Sequence, residues 1–440
     1  MRSFGHIGVP MFFVCLIFLL LPGSMVDAQM LSLSEGLGIV AKKSRTVSIS
    51  RSDEQIAESD TQAARSRLLP TVNADAAWTS LAYEPAAVLG LRPLPLSERN
   101  FLSYSLSVQQ TLFDFRGNVS RYDASRAVLT ARTYETVRVR NFAAIEFVLI
   151  YLDLLEMDKL ISVAEKEVEA LESHRMKTQN FFDEGVITRN DLLQAEVKIS
   201  DARQRLLTLA TQRKIKASRL NSLLLRPLRT EVSLLDMDES ATAGSPAVSV
   251  EAAWELAEQQ RAELKIADET LRALGLEKTA RRSEFFPRIF LKGGYDFIEN
   301  RYQVHEGNWS LTLGLNMNLF SGGMTGAEIR KLDLQSRKLV EQREKLLDEI
   351  RLEVEQYLLQ SMTAREKMQV TKDAVRQAEE NLRINRVKYE EGISTGTDVL
   401  DAVALLSGAR TNYFRALYDL KKAEAAVYYA TGKDLLEVYQ

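Results

Sequence analysis

Residues Trp309-Ser310-Leu311-Thr312-Leu313-Gly314-Leu315-Asn316-Met317-Asn318-Leu319 alternate apolar with small or polar side chains without a break. A period of two over that length predicts a β-strand with one apolar and one polar face. Leu102, Tyr104, Leu106, Val108 and Leu112 repeat the pattern against Ser103, Ser105, Ser107, Gln109 and Thr111. Weaker runs precede each: Val72, Ala74, Ala76 and Trp78 against Asn73, Asp75 and Thr79, then Ile289, Leu291, Tyr295 and Phe297 against Lys292 and Asp296. The expectation is two hairpins, hence four strands. A half-buried soluble sheet shows the same alternation, but two features favour a membrane wall. The strands match the ~9–11 residues that cross a bilayer at a tilt, and Trp78, Tyr104, Tyr295 and Trp309 stand where an interfacial aromatic girdle belongs. Four strands cannot close a barrel, because bacterial examples start at about eight, and an open edge in lipid leaves backbone groups unpaired. Other copies of the chain are needed to complete it.

Outward from the strands the apolar period becomes helical. From Gly117 to Glu184 neither Pro nor Gly interrupts after the first residue, and from Met324 to Glu391 only Gly326 does. At 1.5 Å per residue each segment predicts a helix of about 100 Å. Leu332, Leu339, Leu346, Ile350, Val354 and Tyr357, set among Lys, Arg, Glu and Gln, predict a narrow coiled-coil seam on the second of them. Return helices are expected at about Asp191–Leu225 and Asp398–Thr431.

The chain is also written twice. Phe182-Asp183-Glu184-Gly185-Val186-Ile187-Thr188 is echoed 207 positions later by Tyr389-Glu390-Glu391-Gly392-Ile393-Ser394-Thr395, and Leu112-Phe113 by Leu319-Phe320 at the same spacing. Upstream, Ala64 to Pro70 resembles Arg281 to Pro287 at 217, so the first copy carries the longer loop, between Pro70 and Leu112. Self-similarity over such a distance argues for duplication of a whole unit. The expected division is 29–225 for one copy, 226–249 for a linker with two prolines, and 250–440 for the second copy.

The first residues read as an address. Arg2 precedes the apolar run Met11 to Leu21, which closes at Pro22-Gly23-Ser24 before Val26-Asp27-Ala28. This is the anatomy of a secretory signal peptide, 1–28, and the run is well short of the ~20 residues that span a membrane as a helix. Cys15, the single cysteine, lies inside that run, so no disulfide within the chain and no Cys-based zinc or nucleophile site is on offer. With 57 Lys+Arg against 60 Asp+Glu and a net charge of −3, nothing in the charge balance favours nucleic acid. Gly36-x-Gly38-x-x-Ala41 mimics a dinucleotide fingerprint but lacks the preceding strand. His174 and Glu172 read as a solvated helix face, and His305-Glu306 as part of a polar loop. No catalytic, cofactor or metal site assembles, so an enzyme is not expected.

The duplicated long hairpins, the paired strands and the turn Tyr389-x-x-Gly392 running into Asp398-Val399-Leu400-Asp401-Ala402 resemble the TolC-like outer-membrane efflux protein family. Leu319-Phe320-Ser321-Gly322-Gly323, Leu112-Phe113-Asp114, and Ala280-Arg281 with Pro287 ahead of a strand carry the rest of the likeness. The resemblance implies a mainly helical chain whose four strands join those of two siblings. The homotrimer would then have a twelve-stranded barrel in outer-membrane lipid above a twelve-helix periplasmic tunnel. It implies a passive exit duct of a tripartite efflux or type I secretion system in a Gram-negative outer membrane, without a cofactor. The expected partners are a periplasmic adaptor (membrane fusion) protein and an inner-membrane transporter. Gly185, Val186, Gly392 and Ile393 would be the tips that meet the adaptor. Asp191, Tyr389 and the place of Ser394 would correspond to entrance-locking contacts, and Asp398 and Asp401 to acidic entrance residues. Ser394 stands where the family carries arginine.

From the residues alone, Thr188-x-x-Asp191 and Thr395-x-x-Asp398 match a helix-capping pattern. Asp401 has Gln194 as its counterpart, which marks it as the more specialised acid. In a trimer Asp398 and Asp401 would ring the opening, select cations and raise one another's pKa. The competing reading, a periplasmic coiled-coil scaffold or adaptor, needs no lipid-facing strands.

Overall fold

A computed structural model describes residues 30–90, 92–236 and 249–439. The expected signal peptide lies outside them. The chain opens with helices α1 (Leu33–Lys43) and α2 (Arg45–Ser66), then strand β1 (Thr71–Ser80), a small hairpin of β2 (Ala86–Leu89) and β3 (Arg92–Pro95), and strand β4 (Asn100–Phe113). The long helix α3 (Gly117–Asp183) and its return α4 (Arg189–Leu223) follow. The order then recurs as α5 (Val250–Gln260), α6 (Ala262–Arg282), β5 (Arg288–Ile298), β6 (Gly307–Asn316), α7 (Met324–Glu390) and α8 (Gly396–Ala430), with a terminal turn of helix α9 (Leu435–Val438). Both long helices have 67 residues and both returns 35.

Serines set the helix starts: the Ser32, Ser44 and Ser249 hydroxyls accept from the amides of Glu35, Val47 and Ala252 at 3.2, 3.3 and 3.2 Å, satisfying otherwise free N–H groups. Glycine is needed where each long helix turns back, since Gly185 and Gly392 adopt φ of 75° and 73°. At the strand-to-helix joints the copies differ. Gly322 and Gly323 are left-handed in the second, whereas Phe115 and Arg116, 207 positions earlier, hold that conformation in the first.

Strands β1, β4, β5 and β6 form one antiparallel sheet in that order, with β4 and β5 joining the two expected hairpins. The β2–β3 hairpin, which the alternation did not predict, sits inside the longer loop of the first copy. β6 ends at Asn316, so Met317 and Leu319 fall beyond it.

The largest core lies at mid-height. Phe147 and Tyr151 of α3 are fully buried there among α1, the end of α4, Tyr418 and Tyr428 of α8, and Leu435. Tyr151 Oη lies 2.6 Å from the Leu235 carbonyl and 3.0 Å from that of Leu31, fixing both the start of the chain and the inter-copy segment to the helices. Gly36 permits this closeness: a Cβ there would stand 2.1 Å from Phe147 Cζ, so its place is explained by helix packing. A second core joins α5, α6, α7 and α8 through Leu264, Ile350, Val354 and Val427. The seam on α7 runs through Leu332, Leu347, Ile350, Val354 and Leu358; Leu339, Leu346 and Tyr357, expected in it, are only half-buried. The 3.6-residue turn drifts across a seven-residue spacing and moves the stripe by one position.

Candidate functional site

The sheet wears its apolar face outward. Along β4, Leu102, Tyr104, Leu106 and Val108 are exposed while Ser103, Ser105, Ser107 and Gln109 are half-buried. In a water-soluble sheet the apolar set would be the covered one. The register carries the pattern across all four strands: Ala74 pairs with Leu106, Leu106 with Tyr295, and Tyr295 with Trp309, while on the other face Asp75, Ser105, Asp296 and Asn308 stand level. Trp309, Leu311 and Leu313 are 76, 77 and 70% exposed, an arrangement that only an apolar surrounding makes favourable.

The four expected girdle aromatics all lie on this outer face. Tyr104, Tyr295 and Trp309 form a chain of contacts, with ring centroids 6.4 and 5.0 Å apart, and Trp78 sits one outward position above, paired with Leu102. Phe297 stacks on Tyr104 at 4.6 Å and belongs to the same belt. A second belt at the helix-proximal end was missed. Phe115 stacks on Phe286 at 4.7 Å and meets Phe113 edge-on at 4.8 Å. The recurrence of Phe near both ends of the strands was its only sequence signal.

At the opposite end of the molecule α3, α4, α7 and α8 meet at the two tips. Val186 and Ile393 are 68 and 75% exposed beside the left-handed Gly185 and Gly392. Asp191 and Asp398 cap their helices, as the spacing predicts: Asp191 Oδ2 accepts from the Thr188 amide and hydroxyl at 3.1 and 2.7 Å, and Asp398 Oδ2 from those of Thr395 at 2.8 Å each. Within the single chain these bonds hold the Asp398 carboxyl below the usual carboxylate range. Asp401 is exposed one turn further along α8. Its counterpart Gln194 is engaged by the Thr397 hydroxyl, which donates to Oε1 at 3.1 Å and ties α8 to α4.

Tyr389 and Asp191 hold different partners. Tyr389 is buried against Phe181 and His174, ring centroids 5.5 and 5.1 Å away, and its hydroxyl lies 3.4 Å from that of Thr178. Ser394 donates to the Asn385 carbonyl at 3.4 Å, inside its own turn. His174 overturns its expected place on a solvated face: it is 5% exposed, held between the first hairpin (α3, α4) and the elbow of the second (α7, α8). Burial, with help from Arg386 and Lys177, pushes its pKa down to about 4. A Lys177–Glu390 ion pair lies beside it, and a shared apolar core of Leu171, Ile199, Leu382, Val399 and Val403 backs the cluster. Glu172 does lie on the surface, paired with Arg203 at 2.6 Å.

These features together put an outward apolar wall at one end of the chain and two exposed apolar tips at the other. Among the described residues no helix is long and apolar enough to cross a membrane.

The chain is similar to nodulation protein T of Rhizobium leguminosarum bv. trifolii, with 23% identity over 334 residues, 73% of this chain and 69% of that protein. It is also similar to the probable efflux pump outer membrane protein TtgC of Pseudomonas putida, with 23% identity over 290 residues, 62% of this chain and 57% of that protein. The solved structure of CusC superposes with a TM-score of 0.81 at 16% identity, over 91% of this chain and 92% of that one. The model of the outer membrane efflux protein family matches residues 40–224 and 253–433, one segment in each copy. With both copies matched and the sheet facing outward, this chain belongs to the outer membrane efflux protein family.

Proposed function

We propose that three copies of this chain assemble into a passive exit duct, a twelve-stranded barrel in the outer membrane continued by a helical tunnel through the periplasm. The tunnel would dock a periplasmic adaptor and an inner-membrane transporter at its tips. The observation that carries this reading is the exposed apolar face of a sheet whose outer strands, β1 and β6, each have one unpaired edge. Joining β1 of one copy to β6 of the next satisfies both edges and leaves no backbone group open to lipid. The division into 29–225, a linker 226–249 and 250–440 fits the recurrence of elements, and 1–28 would direct export.

Val186 and Ile393 supply exposed apolar contacts for the adaptor, and Asp401 the acid free to face the entrance. With Ser394 bonded inside its turn, closure would rest on packing around Tyr389 instead of a charged lock. Movement of solute is driven by the transporter, and the duct itself performs no reaction. The scaffold or adaptor alternative leaves the outward apolar face unexplained.

The test is fractionation of the expressed protein followed by electrophoresis with and without heating, and conductance in planar bilayers. The duct reading expects outer-membrane recovery, a trimer band that dissociates on heating, and ion-conducting pores. Release by osmotic shock as a stable monomer in the absence of detergent would refute it.

A further inference from the structure

The strand register fixes the level of each charged side chain on the inner face of the sheet. Ser105 pairs with Asp75 on one side and Asp296 on the other, and Asp296 pairs with Asn308. Directly paired residues share a face, so this level carries two carboxylates and no cation. Four residues along β5 towards the helices, Lys292 stands level with Gln109, Thr71 and Thr312. Arg288 follows after four more, opposite Asn316. Asp75, Asp296, Lys292 and Arg288 are all exposed, and no ion pair among the described residues joins any of them; the Asp75 carboxylate accepts from the Ser105 hydroxyl at 3.4 Å. At ~3.3 Å per residue successive charged levels lie about 13 Å apart along the strand, too far for the opposite charges to neutralise each other by contact.

We propose that the barrel lumen is bipolar, with an anionic belt of Asp75 and Asp296 towards the outer mouth and a cationic belt of Lys292 and Arg288 towards the helical tunnel. The proposal rests on the closed barrel argued above. Twelve strands about 4.8 Å apart and tilted ~40° enclose a backbone cylinder of about 12 Å radius. Side chains bring the charges further in. At 0.1 M salt the Debye length of about 10 Å carries each belt's field across most of the lumen, whereas at 1 M it shrinks to about 3 Å and stays at the wall. The small Ser103, Ser107, Gly294 and Ser310 leave the lumen open between the two belts, and Phe290, between Lys292 and Arg288 on the same face, lies against Gly314. An anion leaving the duct is drawn to the first belt and opposed by the second, and a cation meets the reverse. Solutes that are neutral or carry both signs are retarded least.

Cys15 is the only cysteine, so single thiols can be placed at chosen levels in a Cys15→Ser background. Ser105→Cys sits in the anionic belt and Gln109→Cys in the cationic one. The measurement is the rate at which matched cationic and anionic methanethiosulfonates label each thiol in the reconstituted trimer. At 0.1 M salt the two carboxylates level with position 105 give about a five- to tenfold preference for the cationic reagent there, and Lys292, the one cation level with 109, about a two- to threefold preference for the anionic reagent. Both preferences collapse at 1 M salt. Asp75→Asn with Asp296→Asn removes the first, and Lys292→Gln with Arg288→Gln removes the second. The same preference at both levels, or none at low salt, overturns the proposal. Leu106→Cys, on the lipid face, separates this failure from that of the duct reading. If Leu106→Cys labels as fast as Ser105→Cys with both reagents, the closed wall is wrong and the belts fall with it. If Leu106→Cys is shielded while 105 and 109 show no charge preference, only the belts fall.

Discussion

Acidification should weaken the contact between the two helical hairpins through one residue, His174. Its imidazole is buried between α3 and the elbow of α7 and α8, beside Thr178 and Tyr389, with the cations Lys177 and Arg386 near. Its pKa falls from an ordinary 6.5 to about 4. In the unfolded chain it takes a proton near pH 6.5; in the folded chain it stays neutral until about pH 4. Between those values the unfolded state binds more protons, so stability is complete above pH 6.5 and declines as pH falls towards 4. Each tenfold difference in proton affinity between the two states is worth about 1.36 kcal/mol, so the loss attributable to this group reaches about 2.5 kcal/mol by pH 4.5. His174→Gln cannot titrate, and its stability should not share that slope. The direct assay is NMR of the imidazole Cε1–H in detergent, with His6 and His305 replaced by Gln so that one signal remains. The expected midpoint is near 4. A midpoint near 6.5, or wild-type and His174→Gln proteins losing stability in parallel between pH 6.5 and 4.5, would refute the reasoning.

Four other outcomes follow from the packing. Gly36→Ala should lower the melting temperature: the gain of about 1 kcal/mol from helix propensity is outweighed by overpacking of about 1–3 kcal/mol against the fully buried Phe147, whereas Gly38→Ala, with nothing within 4 Å, should raise it. Leu225→Gly should stabilise by about 0.5–1 kcal/mol in the same assay, because Leu225 is left-handed at φ 57°, is 46% exposed, and has Gly432 as its counterpart. Asp401→Asn should reduce cation preference in planar bilayers while leaving thermal stability unchanged, since Asp401 caps nothing; unchanged reversal potentials would remove it from the entrance. Leu352→Gln with Leu359→Gln, both on the exposed side of α7, should lower the temperature at which the trimer band dissociates by electrophoresis without lowering helix content by circular dichroism. Each site forfeits about 1.5–3 kcal/mol if a sibling buries it.

What could be read in advance was whatever repeats or alternates. The 207-residue spacing located both tips and both strand–helix joints, and the alternation assigned the lipid face of β4 and β6 from residue types alone. Capping by Asp191 and Asp398 was legible because donor and acceptor lie three residues apart. His174 was not, since its burial depends on Tyr389 and Gly396, more than two hundred positions away, and a polar residue on a charged helix carries no mark of what covers it. The β2–β3 hairpin was hidden for a different reason. Pro93 and Pro95 withhold backbone donors and break the pattern that identifies a strand. Arg116 likewise shows nothing in one dimension; its strained φ is exposed by comparison with Gly323 at the matching joint.

The two copies, alike in length and order, do not contribute alike to the protein's own core. On α3, 23 residues are buried against 11 on the equally long α7, while α8 buries 14 against six on the equally long α4. The core of a single chain is therefore built on α3 and α8, one helix from each copy. Lys422 of α8 cements this pair, reaching Asp153 and Glu156 of α3 at 3.0 and 2.8 Å. α4 and α7 are left with exposed Val197, Leu207 and Ile215 on one, and Leu352, Leu359 and Val370 on the other. Two different flanks left open, like the two different sheet edges β1 and β6, cannot be satisfied by a two-fold contact that pairs each surface with itself. A head-to-tail interface would satisfy them, and in the proposed duct it closes into a ring. Two copies would give eight strands, a barrel that side chains fill or that holds one small ligand; three is the smallest ring that leaves a passage. In the proposed duct each of the duplicated hairpins would then give one helix to the protomer's own core and the other to a neighbour.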